Sequence, residues 1–76
     1  MNKIRRAKLQ KAYDQLDDIK DIINDVMEEE QESFDNLSEG LQMSERGERM
    51  EENVDTLSEI IDSLDEVQSQ IDDVIN

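Results

Sequence analysis

Acidic side chains are the only residues of this 76-residue sequence whose types and spacing suggest chemistry, since the chain has no His and no Cys. Residues 17–21 read DDIKD, and residues 28–32 read EEEQE. On a helix, carboxylates at such spacing share one face, where they can bind Mg²⁺ that bridges to a diphosphate. Metal-dependent phosphate chemistry is therefore the activity to weigh first.

The elements that would have to position these carboxylates do not bring them together. The DDxxD pattern also occurs in isoprenoid synthases, but 76 residues are too few for that fold. The EExxE pattern, followed by Glu59 and Asp62, is similar to the paired motifs of the all-α nucleotide pyrophosphohydrolases. In an antiparallel hairpin of two helices, Glu59 lies about 15 residues into the second helix, some 20 Å from the first motif. We therefore predict no enzyme, no metal site and no cofactor.

Composition limits the remaining classes. A single small domain without disulfides or thiolate metal sites has few means of stabilisation besides oligomerisation. Apolar content is 34%, with one Phe, one Tyr and no Trp, which suits helices with a narrow apolar stripe. No apolar run reaches the roughly 18 residues of a membrane span. We expect a soluble, cytoplasmic protein with no membrane partner.

Charge is distributed unevenly along the chain. The net charge is -14, and five of the eight basic residues precede the first acid, Asp14. The field of the remaining chain repels nucleic acid and anionic membranes, and it attracts a basic groove on another protein. A direct nucleic-acid partner is therefore not expected.

The first helix is predicted over residues 3–33. Pro is absent, helix-forming residues dominate, and apolar residues recur at spacings of three and four, which is a heptad seam. Tyr13, Ile22 and Met27 widen this stripe, and the seam stops at Glu30. The predicted seam residues are Leu9, Ala12, Leu16, Ile19, Ile23 and Val26.

The second helix is predicted over residues 45–75, with Ile60, Val67 and Val74 beside its seam. Gln68 is the one polar residue on that seam. Two readings stay open: a half-exposed position on an imperfect stripe, or a buried amide that fixes register or oligomeric state. The predicted seam residues are Met50, Val54, Leu57, Ile61, Leu64, Gln68, Ile71 and Ile75.

Between the helices, residues 34–44 form a predicted turn in which helical periodicity stops. Ser44 is a plausible N-cap, and Leu37 and Leu41 are placed to pack a short helical turn against the end of the hairpin. Gly47 either allows close approach of another backbone or marks a later helix start. Phe34 and Met43 look exposed. We predict a partner-binding turn pole made of Phe34, Leu37, Leu41, Met43 and Gly47.

These elements predict an all-α antiparallel helical hairpin forming a single domain. Two helices with one stripe each leave the residues beside the seam in water, so we expect two hairpins to dimerise into a four-helix bundle. The predicted oligomer seam comprises Leu16, Ile19, Ile23, Val26, Leu57, Ile61, Leu64, Gln68 and Ile71.

Like-charged pairs one helical turn apart are the most informative surface feature. Such pairs destabilise a helix by a few tenths of a kcal/mol each, so a merely solvated helix would interleave lysines. Carboxylate columns with a repeat of about 6 Å can imitate nucleic-acid phosphates to a basic groove. The other reading is a surface that only confers solubility. The candidate acidic flank is Asp14, Asp17, Asp18, Asp21, Asp25, Glu28, Glu29 and Glu32.

The basic N-terminus, residues 3–11, also has two readings. In an antiparallel hairpin it lies beside Asp72 and Asp73, where it can pair within the chain or across subunits. A DNA-contacting arm is the alternative, but no recognition helix with interleaved aromatic or amide residues accompanies it.

The run FDNLSEGLQMSERGERMEE, residues 34–52, resembles a segment of small acidic helical proteins encoded by phages and prophages of Gram-positive bacteria. Such proteins often block a host enzyme or defence system. The resemblance therefore implies an inhibitor of a host protein that acts in the host cytoplasm, and the carboxylate columns suggest DNA mimicry as one means. The alternative is a structural or regulatory coiled-coil adaptor whose acidic surface is only solubilising.

Overall fold

The computed structural model describes all residues from Met1 to Asn76 and contains three helices and no strands. These are α1 (Lys3–Asp35), α2 (Glu39–Gln42) and α3 (Glu45–Ile75). The all-α class is thus confirmed, and the chain has the extended shape of a helical hairpin, measuring 58 × 15 × 12 Å. Helix α1 continues two residues past its expected end. None of the helices combines the length and apolarity needed to cross a membrane.

Polar side chains define the ends of the helices. The Asn2 side chain accepts a hydrogen bond from the Arg5 backbone N–H at 2.8 Å and so caps α1. Ser38 caps α2 in the same way, and Ser44 caps α3, as the sequence predicts. Because each cap satisfies an otherwise unpaired backbone N–H, the chain reverses direction with few unpaired groups.

Gly47 is required because the turn folds directly over the start of α3. A Cβ atom at this position would lie against the carbonyl oxygen of Gln42, and 2.6 Å from both the Gln42 carbonyl carbon and the Leu41 carbonyl oxygen. The glycine is buried, and its φ is not positive. Close backbone approach, one of the two expected explanations, is therefore the reason for a glycine in the first turn of α3.

Helices α1 and α3 pack antiparallel along most of their length. Three side-chain hydrogen bonds fix their register: Gln68 to Asp17, Lys20 to Asp65, and Asn53 to Glu30. The facing positions repeat at alternating spacings of four and three residues on both helices, which is the pattern of a two-stranded coiled coil. They are Leu9, Tyr13, Leu16, Lys20, Ile23, Met27, Glu30 and Phe34 on α1, and Met50, Val54, Leu57, Ile61, Leu64, Gln68, Ile71 and Ile75 on α3, none of them exposed.

The seam of α1 differs from the predicted one at every second position. Ile19 and Val26, expected on the seam, are 43% and 47% exposed, whereas Lys20 and Met27 face α3. Glu30 does not end the seam, which continues to Phe34. Two heptad patterns on α1 share Leu9, Leu16 and Ile23 and differ in the residues that alternate with these three. The sequence predicted the pattern with the more apolar residues, but α1 packs against α3 through the other pattern.

The core is thin. No hydrophobic side chain of the chain is fully buried, and the two buried residues are Gly47 and Gln68. A pair of helices can cover only one strip of each, so every core side chain keeps part of its surface in water.

Candidate interaction surfaces

The heptad frame sorts the charged residues onto particular sides of the hairpin. Here a and d denote the facing positions, with a at Tyr13, Lys20, Met27 and Phe34 on α1 and at Val54, Ile61, Gln68 and Ile75 on α3. Positions e and g then flank the seam on opposite sides, and b, c and f point outward. Among the acidic residues of α1 and α3, only Glu29 occupies a c or g position and only Glu30 occupies the seam.

One side of the seam is held by specific polar contacts. The Lys20 ammonium lies 2.7 Å from an Asp65 carboxylate oxygen and 3.6 Å from an Asp17 oxygen. Asp17 and Asp65 are e residues of different helices, so the two e columns lie on the same side of the hairpin. The hydrogen bond that Lys20 donates to Asp65 is the largest influence on the pKa of Lys20 and raises it. Desolvation opposes this rise, and the charges of Asp65 and Asp17 add to it.

Gln68 completes this polar side. Its side chain is only 3% exposed, and its amide N–H₂ donates to the Tyr13 backbone carbonyl at 3.0 Å and to Asp17 at 2.8 Å. Gln68 is therefore buried and hydrogen-bonded, and it is not the half-exposed position of the other reading. Its partners belong to the same chain, so the amide ties α1 to α3 within one hairpin.

The opposite side of the seam is an apolar edge. We use this name for six exposed residues at c and g positions: Ile19, Ile22, Val26, Ile60, Val67 and Val74. The antiparallel register places Ile19 across from Val67 and Val26 across from Ile60. Apart from Glu29 and Arg49, the other c positions of α1 and α3 between residues 12 and 74 are uncharged: Gln15, Thr56, Ser63 and Gln70.

The predicted acidic flank is exposed throughout. Seven of its eight residues lie at b, e or f positions, whereas Glu29 lies at a c position on the side of the apolar edge. Asp17 accepts a hydrogen bond from Gln68 and forms an ion pair with Lys20, and Asp14 accepts a hydrogen bond from Gln10 at 3.0 Å. Asp18, Asp21 and Asp25 contact no other side chain by hydrogen bond or ion pair, so their carboxylates remain available to a partner.

The turn pole is only partly available. Met43 is 82% exposed and Leu41 is 48% exposed, but Phe34 and Leu37 are half-buried and Gly47 is buried. The expectation that Phe34 is exposed is thus wrong, because Phe34 closes the end of the seam. The side chain of Gln42 also donates to the Phe34 carbonyl at 3.1 Å, which fastens the turn to the end of α1.

A shallow groove connects the acidic flank with the seam near the turn. It has an apolar floor and a carboxylate rim, and it is lined by Met27, Glu28, Gln31, Glu32, Asp35 and Val54. No three acidic side chains of the chain are placed to hold a metal ion together. The EExxE and DDxxD patterns therefore form no convergent ligand set.

The basic N-terminus makes no ion pair within the chain. The structure contains two ion pairs, and both involve Lys20. The expected contacts with Asp72 and Asp73 are absent within one hairpin. The two acidic residues instead remain exposed near the chain terminus, where Asn76 donates to Asp72 at 2.9 Å. Of the two pairings expected for the basic N-terminus, within the chain or across subunits, only the pairing across subunits remains.

No protein-family model, curated protein or solved structure matches this chain. The residues and their placement are therefore the basis on which a function is proposed.

Proposed function

We propose that the protein is a non-catalytic, phage- or prophage-type interaction protein that binds and inhibits a host protein in the host cytoplasm. The observation that carries the proposal is the row of unpaired, exposed carboxylates of Asp18, Asp21 and Asp25. A row of like charges costs the helix stability, and no lysine of the same chain compensates it. A basic groove on a partner supplies that compensation.

The partner in this proposal is a defence or DNA-handling factor whose groove normally holds nucleic acid. The rigid α1 helix presents carboxylates at a repeat of about one helical turn, or 5.4 Å, over the length of the flank. Such an array offers a basic groove the charge pattern of a phosphate backbone, and its strength falls as salt screens it. The groove beside the turn adds an apolar floor next to the charged rim.

The proposal includes association of two hairpins into a four-helix bundle. The absence of any fully buried hydrophobic side chain supports this part, because a chain of this size gains little stability from so thin a core. A dimer also doubles the number of acidic flanks offered to a partner.

A coiled-coil adaptor is the second candidate function, and the apolar edge favours it. Six exposed apolar side chains in one row are what an assembly module presents to other helices. Under this alternative the acids only keep the assembly in solution.

A pull-down from bacterial lysate across a salt series separates the two candidates. The inhibitor proposal expects a DNA- or nucleotide-handling partner that is lost at about 0.3 M salt, where charge attraction is screened. A partner retained at high salt through apolar contacts supports the adaptor instead.

Charge reversal at Asp18, Asp21 and Asp25 to Lys tests which acids matter. We expect binding to weaken at least about tenfold, since three favourable charges become repulsive. The matched control reverses Glu59, Asp62 and Glu66 of α3, which are equally exposed and alter the net charge by the same amount. Unchanged binding after the α1 reversal would contradict DNA mimicry. An equal loss of binding in both variants would show that only the net charge of the chain matters.

A further inference from the structure

We infer that the apolar edge is the surface at which a second copy of this chain docks. The inference rests on the part of the proposed function that joins two hairpins, and it adds which face they use. It replaces the seam residues expected from the sequence, because Leu16, Ile23, Leu57, Ile61, Leu64, Gln68 and Ile71 already face each other within one hairpin.

The size of the uncovered surface fits one partner copy. The single chain exposes 5845 Å². A folded monomer of its mass, 8.9 kDa, exposes about 4,800 Å² on the usual scaling. The excess of about 1,000 Å² is close to the roughly 800 Å² that each partner buries in a standard stable interface.

The shape of the apolar edge fits another helical hairpin. In the antiparallel register Val26 faces Ile60 and Ile19 faces Val67, and the half-buried Ala12 extends the row beside Val74. From residue 12 to residue 26 the row is about 21 Å long, or four helical turns. A flat strip formed by two antiparallel helices is complementary to the same strip on a second copy, as in the layers of a four-helix bundle.

Charge favours this face for contact with a second copy. The chain carries -14, so most approaches of two copies bring carboxylates together. Across the apolar edge the only acid at a c or g position is Glu29, whereas Arg5, Lys8, Arg46 and Arg49 also occupy such positions toward the two ends. Two copies meeting here keep their b, e and f carboxylates outward, free for a different partner.

The mass of the protein in solution tests the inference first. Sedimentation equilibrium of the full chain should give twice the 8.9 kDa chain mass at micromolar concentration. The double variant Ile22→Lys with Val67→Lys should raise the dimer dissociation constant at least about a hundredfold, since two charges are buried in an apolar interface. The control Glu51→Lys, at an exposed e position on the other side of the seam, should leave the dimer intact.

Thiol accessibility keeps the test valid if the double variant fails to fold. The chain has no cysteine, so Val67→Cys and Met43→Cys each introduce a single reporter. Maleimide modification of the Val67→Cys protein should slow about tenfold or more as concentration rises through the dimerisation range, because burial excludes the reagent. Modification of the Met43→Cys protein, at a site 82% exposed in the hairpin, should not slow.

The outcomes distinguish the inference from the proposal on which it rests. A monomer at all concentrations overturns both the four-helix bundle and this face. A dimer in which Val67→Cys stays fully reactive overturns the face alone. Binding of the host partner is measured separately with the α1 charge reversals, so failure there leaves this inference untouched.

Discussion

The two sides of the hairpin seam are built on the same pair of helices but use different interactions. On the side of Asp17 and Asp65, a lysine and a buried amide make directional contacts between α1 and α3. On the other side, Asn53 and Glu30 make one hydrogen bond between the helices near the turn, and apolar side chains such as Ile19 and Val67 remain exposed without a directional partner. Hydrogen bonds and ion pairs are directional, so they fix which residues face each other. Apolar burial is not directional, so any partner that covers the same area gives a similar stabilisation.

This difference separates two roles that would otherwise compete for surface. If acids were spread around both helices, self-association would place like charges in contact and would hide them from a partner. Because the acids stand mainly at b, e and f positions, the apolar edge can be covered while the acidic flank stays open. Substitutions at Gly47, Gln68 and Lys20 test how this separation is maintained.

The largest effect is expected at the turn, which aligns both sides at once. Gly47→Ala should lower the free energy of unfolding by about 2 to 3 kcal/mol, because the added methyl group is forced against the backbone of Gln42 and Leu41. Urea unfolding followed by circular dichroism measures the change.

Gly40→Ala is the matched control, since a Cβ at this helical position meets nothing within 4 Å. It should be neutral or stabilising by up to about 1 kcal/mol, from the higher helix propensity of Ala. If both variants behave alike, close packing at Gly47 does not hold the turn.

A smaller effect is expected on the polar side of the seam. Gln68→Ala should cost about 1 to 2 kcal/mol, because it removes two hydrogen bonds and leaves a gap beside Tyr13. Gln68→Leu should instead match or exceed the stability of the natural chain, since it fills the gap with an apolar side chain.

The expected disadvantage of Gln68→Leu is that the alignment of α1 with α3 becomes less specific. Without the amide, α1 and α3 can shift relative to each other, so amide NMR spectra of Gln68→Leu should show more than one set of resonances. A single set of resonances, unchanged mass and higher stability would leave the amide with no role in register.

The smallest effect is expected for Lys20, whose side chain keeps 22% of its area exposed. Its pKa is raised in the fold, so its ion pairs stabilise fully below the unfolded pKa of about 10.4 and are lost as pH rises through the folded value. The melting temperature of Lys20→Gln should therefore lie below that of the natural chain at neutral pH. The difference should vanish in strong alkali, and a difference independent of pH would point to packing of the lysine stem instead.

Several features of this fold follow from local sequence patterns. Heptad spacing, absence of Pro and the cap residues Ser38 and Ser44 act within a few residues, so the helices and the turn are readable from the chain alone. The same holds for the charge columns, since any helix over residues 3–33 places Asp21 one turn from Asp25. The two-residue extension of α1 to Asp35, where Gln42 of α2 donates a hydrogen bond to the Phe34 carbonyl, was not predicted.

Only the tertiary structure decided which residues of α1 face α3 together with Leu9, Leu16 and Ile23. Ile19 and Lys20 are adjacent in sequence, and hydrophobicity favours burying Ile19. The packing instead turns Lys20 inward, because Asp17 and Asp65 together satisfy its charge and leave its apolar stem against the seam. That orientation of α1 brings Asp17 within hydrogen-bonding distance of Gln68 and leaves Ile19 and Val26 uncovered. The sequence by itself therefore determined two amphipathic helices joined by a capped turn, and the contacts between them determined which surfaces remain for partners.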